Sequence, residues 1–163
     1  MKTLLLIRHA KSSWENFTVT DQERPLNERG KKNAPEMAAR LLKRNILIDS
    51  FLSSPAKRAL ATAKLFAGVY DRKSREIIVV PELYLASSDA FTKTILHAPE
   101  DSSSIALFSH NAGITEFANS LSGVRIDHMP TCSVFAVKCP IASWAAFETG
   151  KNEFYFFDYP RSH

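Results

Sequence analysis

Residues 4–9 read LLLIRH, an apolar run that stops at the cationic pair Arg8 and His9. Four apolar residues in succession predict a strand that is buried on both faces, as strands are inside parallel sheets. The run is too short for the hydrophobic region of a signal peptide. No other segment approaches the roughly 18–20 apolar residues that span a bilayer. We therefore expect a soluble, cytoplasmic protein.

Strand and helix patterns alternate along the rest of the chain. Short apolar runs predict strands at 48–52, 77–80, 105–108, 134–137 and 154–157, with 77–80 and 105–108 buried. Helical spacing predicts helices at 28–44, 54–66, 88–96 and 111–121. This alternation indicates an α/β fold: a three-layer α/β/α sandwich whose mostly parallel central sheet is flanked by helices, with the later strands at an edge.

Three of the predicted helices carry boundary signals. Pro35 is expected either to kink the first helix or to begin a second segment capped by Asn33. Ser54-Pro55 reads as a cap followed by a first-turn proline. Asn111 reads as the cap of the last helix, and Gly113 beside it allows close backbone approach.

Length and composition are those of an ordinary globular protein. The chain has 163 residues, 45% hydrophobic and 23% charged, which predicts one domain over 1–163 and excludes a disordered or collagen-like chain. The net charge of +4 is dispersed, without the run of like charges that marks a nucleic-acid-binding arm. Cys132 and Cys139 have no metal or redox spacing, so we expect unpaired thiols on opposite faces of a strand, in a reducing compartment.

Histidine, lysine or arginine residues follow three of the predicted strands. Two strands end in histidine, at His9 and His110, and a third leads into the segment 53–58, which contains Lys57 and Arg58. Ligands of open α/β sheets bind beyond the carboxyl ends of the strands. These three strand ends are therefore the place to look for a site.

Lys57 and Arg58 fall in the first turn of their predicted helix, where the helix dipole disfavours cations. An anion bound at the same helix start would reverse that effect. Arg8 and His9 would point to opposite faces of a regular strand, so both can reach one ligand only if the chain turns after them. Two imidazoles and two guanidiniums suit a phosphoryl group, and an imidazole can also attack phosphorus.

Other catalytic signatures do not occur in the chain. It has no G-x-S-x-G elbow, no Walker loop, no G-x-G-x-x-G and no H-E-x-x-H, and no histidine pair has metal-ligand spacing on a helix. We expect the remaining histidines to be structural or at the surface and three carboxylates to lie in loops. These residues are His97, His128 and His163, and Glu15, Asp21 and Glu82.

Four blocks of sequence, in order along nearly the whole chain, carry a resemblance to a known family. They are residues 6–12 (LIRHAKS), 21–30 (DQERPLNERG), 53–59 (SSPAKRA, followed by Thr62-Ala63) and 108–113 (FSHNAG). Together they resemble the histidine phosphatase superfamily, which has the phosphoglycerate mutase-like fold. Within it, the chain is similar to the small SixA-type phosphohistidine phosphatases.

The resemblance implies catalysis without a metal or other cofactor. His9 would be the nucleophile that takes the phosphoryl group, and Arg8, Arg58 and His110 would surround the phosphoryl oxygens. Arg24 and Asn111 would bind substrate. The implied partner is a phosphohistidine-bearing protein or a small phosphorylated substrate. We expect neither nucleic acid nor membrane as a partner, and a monomer.

Two residues depart from the family pattern. Ala10 replaces the usual glycine after His9, and Leu85 stands where many relatives carry the acid that protonates an alcohol leaving group. Glu82 is near that position but out of register. Phosphoramidates depend less on such an acid, so phosphohistidine is the expected substrate. A general small-molecule phosphomonoesterase and a phosphate-binding module without turnover are the alternatives.

Overall fold

Six strands form one sheet in the computed structural model, which describes residues 1–15 and 18–161. They are β1 (Lys2–Arg8), β2 (Ser50–Ser53), β3 (Ile78–Val79), β4 (Ser104–Ser109), β5 (Val134–Cys139) and β6 (Glu153–Asp158). Their order is β3-β2-β4-β1-β5-β6. The pairings from β3 to β1 are parallel, whereas β5 is antiparallel to both β1 and β6. Five of the six strands therefore point the same way, and the last two lie at one edge as predicted.

The described residues form four α-helices, which cover both faces of the sheet. They are α1 (Glu28–Lys43), α2 (Lys57–Val69), α3 (Ser88–Leu96) and α4 (Gly113–Leu121). Buried side chains of α1 and α2 share one apolar cluster, and those of α3 and α4 share the other. This arrangement confirms the three-layer α/β/α prediction. In the described part of the chain, no helix has the length and apolar character needed to cross a membrane.

β1 is the strand on which both apolar layers meet. Leu5 and Ile7 belong to the cluster under α1 and α2, and Leu4 and Leu6 belong to the cluster under α3 and α4. All four side chains are fully buried. The continuous apolar run is explained by this position, since a strand with helices on both faces has no solvent side.

Several predicted boundaries differ from the observed ones. α1 is a single helix that passes through Pro35, and the side chain of Asn27 caps it by accepting a hydrogen bond from Gly30 N at 2.9 Å. Asn33 therefore begins no second segment. The apolar face of α1, which packs Met37 and Leu41 in the core, offsets the backbone hydrogen bond that Pro35 cannot make.

The other two predicted caps are also wrong. α2 begins at Lys57, three residues after Ser54, and α4 begins at Gly113, after an N-cap position held by Ala112. The Ser54 hydroxyl accepts instead from Ala56 N at 3.2 Å. Asn111 is hydrogen-bonded to side and main chain elsewhere, as described below. Both side chains are thus used within the segments that follow the strands.

β3 does not have the predicted burial. It has two residues, Ile78 and Val79, which are 40% and 47% exposed. The strand is at the edge of the sheet, where one side has no neighbouring strand. An apolar run alone does not distinguish an edge strand from a central one.

The two thiols are free and lie in opposite apolar layers. The prediction that both belong to one strand is wrong, because Cys132 precedes β5 and only Cys139 is on it. Burial raises the pKa of both Cys132 and Cys139 to about 12. Both therefore remain protonated and unreactive at neutral pH.

Gly113→Ala tests the packing of α4 against the segment before α3. A Cβ at Gly113 would lie 1.9 Å from the carbonyl oxygen of Ala86. Because backbone has to move to relieve this contact, we expect a loss of about 1–3 kcal/mol in the free energy of unfolding by urea. The control is Gly68→Ala in α2, where a Cβ meets nothing within 4 Å and should stabilise the helix by about 0.5–1 kcal/mol. Equal unfolding midpoints for the two variants would contradict this account.

Candidate active site

The register of three parallel strands brings the predicted strand ends together. Arg8 on β1 is opposite Ser109 on β4, and the next residue, His9, donates its backbone N–H to Ser109 O at 3.1 Å. On the other side of β4, Ser54 N donates to Phe108 O at 3.0 Å. The rings of His9 and His110 consequently lie with their centroids 5.2 Å apart.

A cleft of about 390 Å³ opens at this edge of the sheet and is called the site cleft below. It is lined by Arg8, His9, Lys11, Ser12, Trp14, Arg24, Arg58, Leu85, His110, Asn111 and Thr131. All six residues predicted as catalytic or substrate-binding are in this set, and their roles remain predictions. Lys11, Ser12, Trp14 and Thr131 were missed because they lie in irregular segments without a periodic signal. Lys57 is exposed outside the cleft, so only Arg58 of that cationic pair lines it.

Arg8 and His9 both line the cleft because the chain leaves strand geometry after them. Cys132 N donates to the carbonyl oxygens of both Arg8 and His9, at 3.1 and 3.0 Å. Ala10 N then donates to Thr62 Oγ1 on α2 at 2.9 Å. Ala10 is completely buried, so its methyl group is packed at the position where the family pattern has glycine.

His9 has the tautomer that a nucleophile needs. Its Nδ1 is 2.7 Å from the carbonyl oxygen of Ala10. Because a carbonyl only accepts, Nδ1 carries the proton and Nε2 keeps a free lone pair. Burial above all, together with the positive charges of Arg8, Arg58 and Arg24, lowers the pKa of His9 to about 4. The imidazole is therefore neutral at physiological pH.

His110 lies beside His9 and is hydrogen-bonded to Ser54. Its Nε2 is 2.8 Å from Ser54 Oγ, and its Nδ1 is buried without a partner. When the Ser54 hydroxyl donates to Nε2, the proton of the neutral ring is on Nδ1. Burial, followed by the charge of His9 and of Arg58, lowers the pKa of His110 to about 3. Both imidazoles of the cleft are thus neutral.

Two guanidiniums in the cleft have unused donors. Arg8 Nη1 donates to Met129 O at 2.9 Å, but the Nε atoms of Arg8 and Arg58 are buried without a partner. A buried unpaired donor costs about 1–3 kcal/mol, and more when it is charged. With Nδ1 of His110, three such donors belong to one cleft. Unpaired cationic and polar groups on residues that line one cleft make it suited to an oxyanion.

Asn111 shares a hydrogen-bond acceptor with Arg8. Its Nδ2 donates to Met129 O at 3.0 Å, the same carbonyl that holds Arg8, and its Oδ1 accepts from Thr115 Oγ1 at 2.6 Å. These bonds explain why Asn111 does not cap α4. Its predicted contact with substrate remains a prediction.

Asp21 is the carboxylate whose position the sequence failed to predict. It lies in a 3₁₀ turn over Asp21–Glu23 and accepts hydrogen bonds from Arg24, Arg58 and Tyr84. The Tyr84 hydroxyl first, and then the two guanidiniums, lower the pKa of Asp21 to about 2. It is ionised at neutral pH, and its partners Arg58 and Tyr84 are 37 and 63 residues away along the chain.

The other residues set aside in the sequence lie outside the cleft wherever the structure describes them. His97 and His128 are exposed, and Glu15 is exposed in a loop. Glu82 lines a different cleft, between β3 and α3, together with Lys93 and His97. His163 is not among the described residues. Across 1–15 and 18–161, no group of three or more His, Cys, Asp or Glu side chains is arranged to hold a metal ion.

Comparisons with known proteins identify a family. The sequence model of the histidine phosphatase superfamily (branch 1) matches residues 4–84. An uncharacterized chloroplastic protein of Arabidopsis thaliana is 31% identical over 151 residues, which cover 88% of this chain and 69% of that protein.

Solved structures have the same fold. A chain from Agrobacterium tumefaciens assigned to the phosphohistidine phosphatase SixA superposes with a TM-score of 0.80 at 22% identity, covering 98% of this chain and 99% of that one. A protein histidine phosphatase SixA in complex with tungstate superposes with a TM-score of 0.81 at 20% identity, covering 96% of each chain. At these identities the likeness is one of fold.

NMR titration of the imidazole nitrogens tests the charge of the two histidines. We expect His9 and His110 to protonate near pH 4 and 3, assigned with His9→Asn and His110→Asn, rather than near 6.5. The unfolded chain then binds more protons than the folded chain below pH 6.5, so these two groups make the fold less stable as pH falls through that window. Protonation of both rings near pH 6.5 would contradict the lowered pKa values.

Proposed function

This chain belongs to the histidine phosphatase superfamily, and from that premise we propose that it removes the phosphoryl group from phosphohistidine in a protein. The observation that carries the proposal is the composition of the site cleft. It combines a neutral imidazole nucleophile with buried unpaired donors, and none of its lining residues in the described part of the chain has a carboxyl group that could donate a proton. The reaction proposed uses no metal or other cofactor.

In the first step, Nε2 of His9 attacks phosphorus and forms a new N–P bond. The N–P bond of the substrate breaks, and its electron pair returns to the leaving imidazole nitrogen, which is protonated from solvent. In the second step, water attacks the phosphohistidine at His9, which releases inorganic phosphate and restores the imidazole. Arg8, Arg58 and His110 supply the donors that stabilise charge on the phosphoryl oxygens.

The lack of an available acid favours a phosphoramidate over an ester. Leu85 lines the mouth of the cleft, and Glu82 lies in the other cleft. Asp21 is near the arginines, but with a pKa of about 2 it has no proton to give at neutral pH. Among the described residues, no carboxylate lines the site cleft. An alkoxide leaving group would need such an acid, whereas an imidazole leaves readily without one.

The mouth of the cleft supports a protein as the carrier of the phosphoryl group. Trp14 and Leu85 line it with large apolar side chains that are 70% and 58% exposed. The Trp14 ring stacks on the guanidinium of Arg24, with Arg24 Cζ 3.2 Å from the ring centroid. Exposed apolar groups around a polar floor are typical of surfaces that meet another protein. The structurally similar SixA protein was solved in complex with tungstate, an oxyanion, which supports an oxyanion as the ligand of the site cleft.

Dephosphorylation of a protein labelled with ³²P on histidine tests this function. We expect the wild-type chain to remove the label through an acid-labile phosphoenzyme. His9→Ala should neither remove the label nor form the phosphoenzyme. Arg58→Ala should slow the reaction by about 10²–10³-fold, as does the loss of one oxyanion donor elsewhere. His97→Ala, an exposed position outside the cleft, serves as the control with unchanged rate. Full activity of His9→Ala would refute the assigned role, and tight phosphate binding without any phosphoenzyme would favour a binding module.

Leu85→Glu tests whether the missing acid sets the substrate class. A well-placed general acid contributes about 10²–10⁴-fold, so we expect the introduced carboxyl group to raise hydrolysis of an alkyl phosphate by about tenfold or more. Hydrolysis of phosphohistidine should not rise. Glu82→Gln is the matched control and should leave both reactions unchanged, because Glu82 lines the other cleft. A sharp loss of ester hydrolysis in Glu82→Gln would instead favour a general phosphomonoesterase.

A further inference from the structure

One carboxylate joins three elements that are far apart in the sequence at the edge of the site cleft. Asp21 Oδ1 accepts from Arg24 Nη1 at 2.9 Å, and Asp21 Oδ2 accepts from Arg58 Nη2 at 3.0 Å and from the Tyr84 hydroxyl at 2.5 Å. Its backbone carbonyl also accepts from Arg58 Nη1 at 2.6 Å. Asp21 itself does not line the cleft, although both of its arginine partners do.

Two of these bonds fix the orientation of the Arg58 guanidinium. Both terminal nitrogens of its guanidinium are held by Asp21, one by the main chain and one by the side chain. A planar guanidinium gripped at two nitrogens cannot rotate about its axis. Its Nε is buried and unpaired. Asp21 thus holds in one orientation a side chain that lines the cleft and keeps an unpaired donor.

Arg24 is held on all three of its nitrogens. Nη1 donates to Asp21, Nη2 makes a short hydrogen bond to Ser12 Oγ, and Nε donates to Ser13 O at 3.3 Å. One face of its guanidinium is covered by Trp14. Asp21 is the only carboxylate among these partners.

We propose that Asp21 is a positioning residue, which orients Arg24 and Arg58 toward the phosphoryl group and acts through them without touching substrate. This inference rests on the proposed function for the identity of the ligand. Fixed donors bind and stabilise an anion better than mobile ones, because less conformational freedom is lost on binding. Tyr84 links Asp21 to two other residues that line the cleft, since it precedes Leu85 and its ring is edge-on to that of His110, with the centroids 5.5 Å apart.

Electrostatics alone predicts the opposite effect for Asp21. A negative charge beside an anion site repels the anion, so its removal should strengthen binding if charge were all that mattered. The positioning role predicts that binding weakens although the site becomes more positive. The sign of the change therefore separates the two accounts.

The test is calorimetric titration of the full chain with inorganic phosphate, comparing wild type with Asp21→Asn. We expect phosphate to bind about 10–100-fold more weakly to the variant, in line with the cost of misplacing a catalytic group. In dephosphorylation, kcat should fall by more than KM rises, since oriented donors act most strongly on transition-state charge. Tighter or unchanged phosphate binding in Asp21→Asn would overturn the proposal.

Glu23→Gln is the matched control. It removes the same charge from the same 3₁₀ turn, and both side chains are exposed, but Glu23 accepts a hydrogen bond from Thr20 Oγ1 rather than from an arginine. We expect its phosphate affinity to stay within about twofold of wild type, because an exposed charge that contacts neither arginine of the cleft contributes little. An equal loss in Glu23→Gln would count against a specific role of Asp21.

Two further variants separate the possible failures. Tyr84→Phe removes one donor from Asp21 without changing any charge and should weaken phosphate binding in the same direction by a smaller factor. Arg58→Ala should weaken it at least as much as Asp21→Asn. A wild-type chain that binds no phosphate would overturn the proposed function. A wild type that depends on Arg58 but not on Asp21 would overturn only the positioning role.

Discussion

Parallel pairing of β1 and β4, with Arg8 opposite Ser109, is the constraint on which the site depends. Both strands end at the same level, and the residue after each is a histidine. The rings of His9 and His110 therefore lie next to each other. β2 pairs on the other side of β4, so the segment that leads to Arg58 begins at that level too. A shift of one residue in the β1–β4 register would turn every side chain of β1 to the wrong apolar layer. The same burial of Leu4 to Ile7 that stabilises the fold therefore holds the site in place.

The chemical character of the cleft follows from placing cations where water is largely excluded. Arg8, Arg58 and Arg24 raise the local positive potential, and burial removes the solvent that would otherwise stabilise a charged imidazole. Both histidines respond by staying neutral. Asp21 balances two of the guanidiniums from outside the cleft. The fold thus keeps unpaired donors in a site that is otherwise well hydrogen-bonded, as preorganised anion sites do.

The parts of this structure that the sequence could predict are those governed by local pattern. Apolar runs located β1 and β4, and the rule that parallel strands present their carboxyl ends together placed His9, His110 and Arg58 at one edge. The contacts made by irregular segments could not be predicted from the sequence. Asp21 is joined to Tyr84 across 63 residues, and neither has a periodic neighbour that reveals the contact. The edge position of β3, the tautomer of His9 and the positive φ of Leu85 likewise depend on tertiary packing.

A substrate whose leaving group is an imidazole places an unusual demand on its enzyme, because nucleophile and leaving group are then chemically alike. Transfer of a phosphoryl group between two imidazoles changes the free energy little. Such an enzyme therefore has to keep the lone pair of its own imidazole unprotonated and available. A protonated His9 could not attack phosphorus. Because its pKa is lowered to about 4, the protonated form is scarce at neutral pH. The bound phosphoryl dianion would tend to raise that pKa again, and the neighbouring guanidiniums oppose this rise by neutralising the dianion. In the proposed reaction, Arg8 and Arg58 would therefore act in two ways: they would stabilise the phosphoryl oxygens, and they would keep the His9 imidazole in its reactive form.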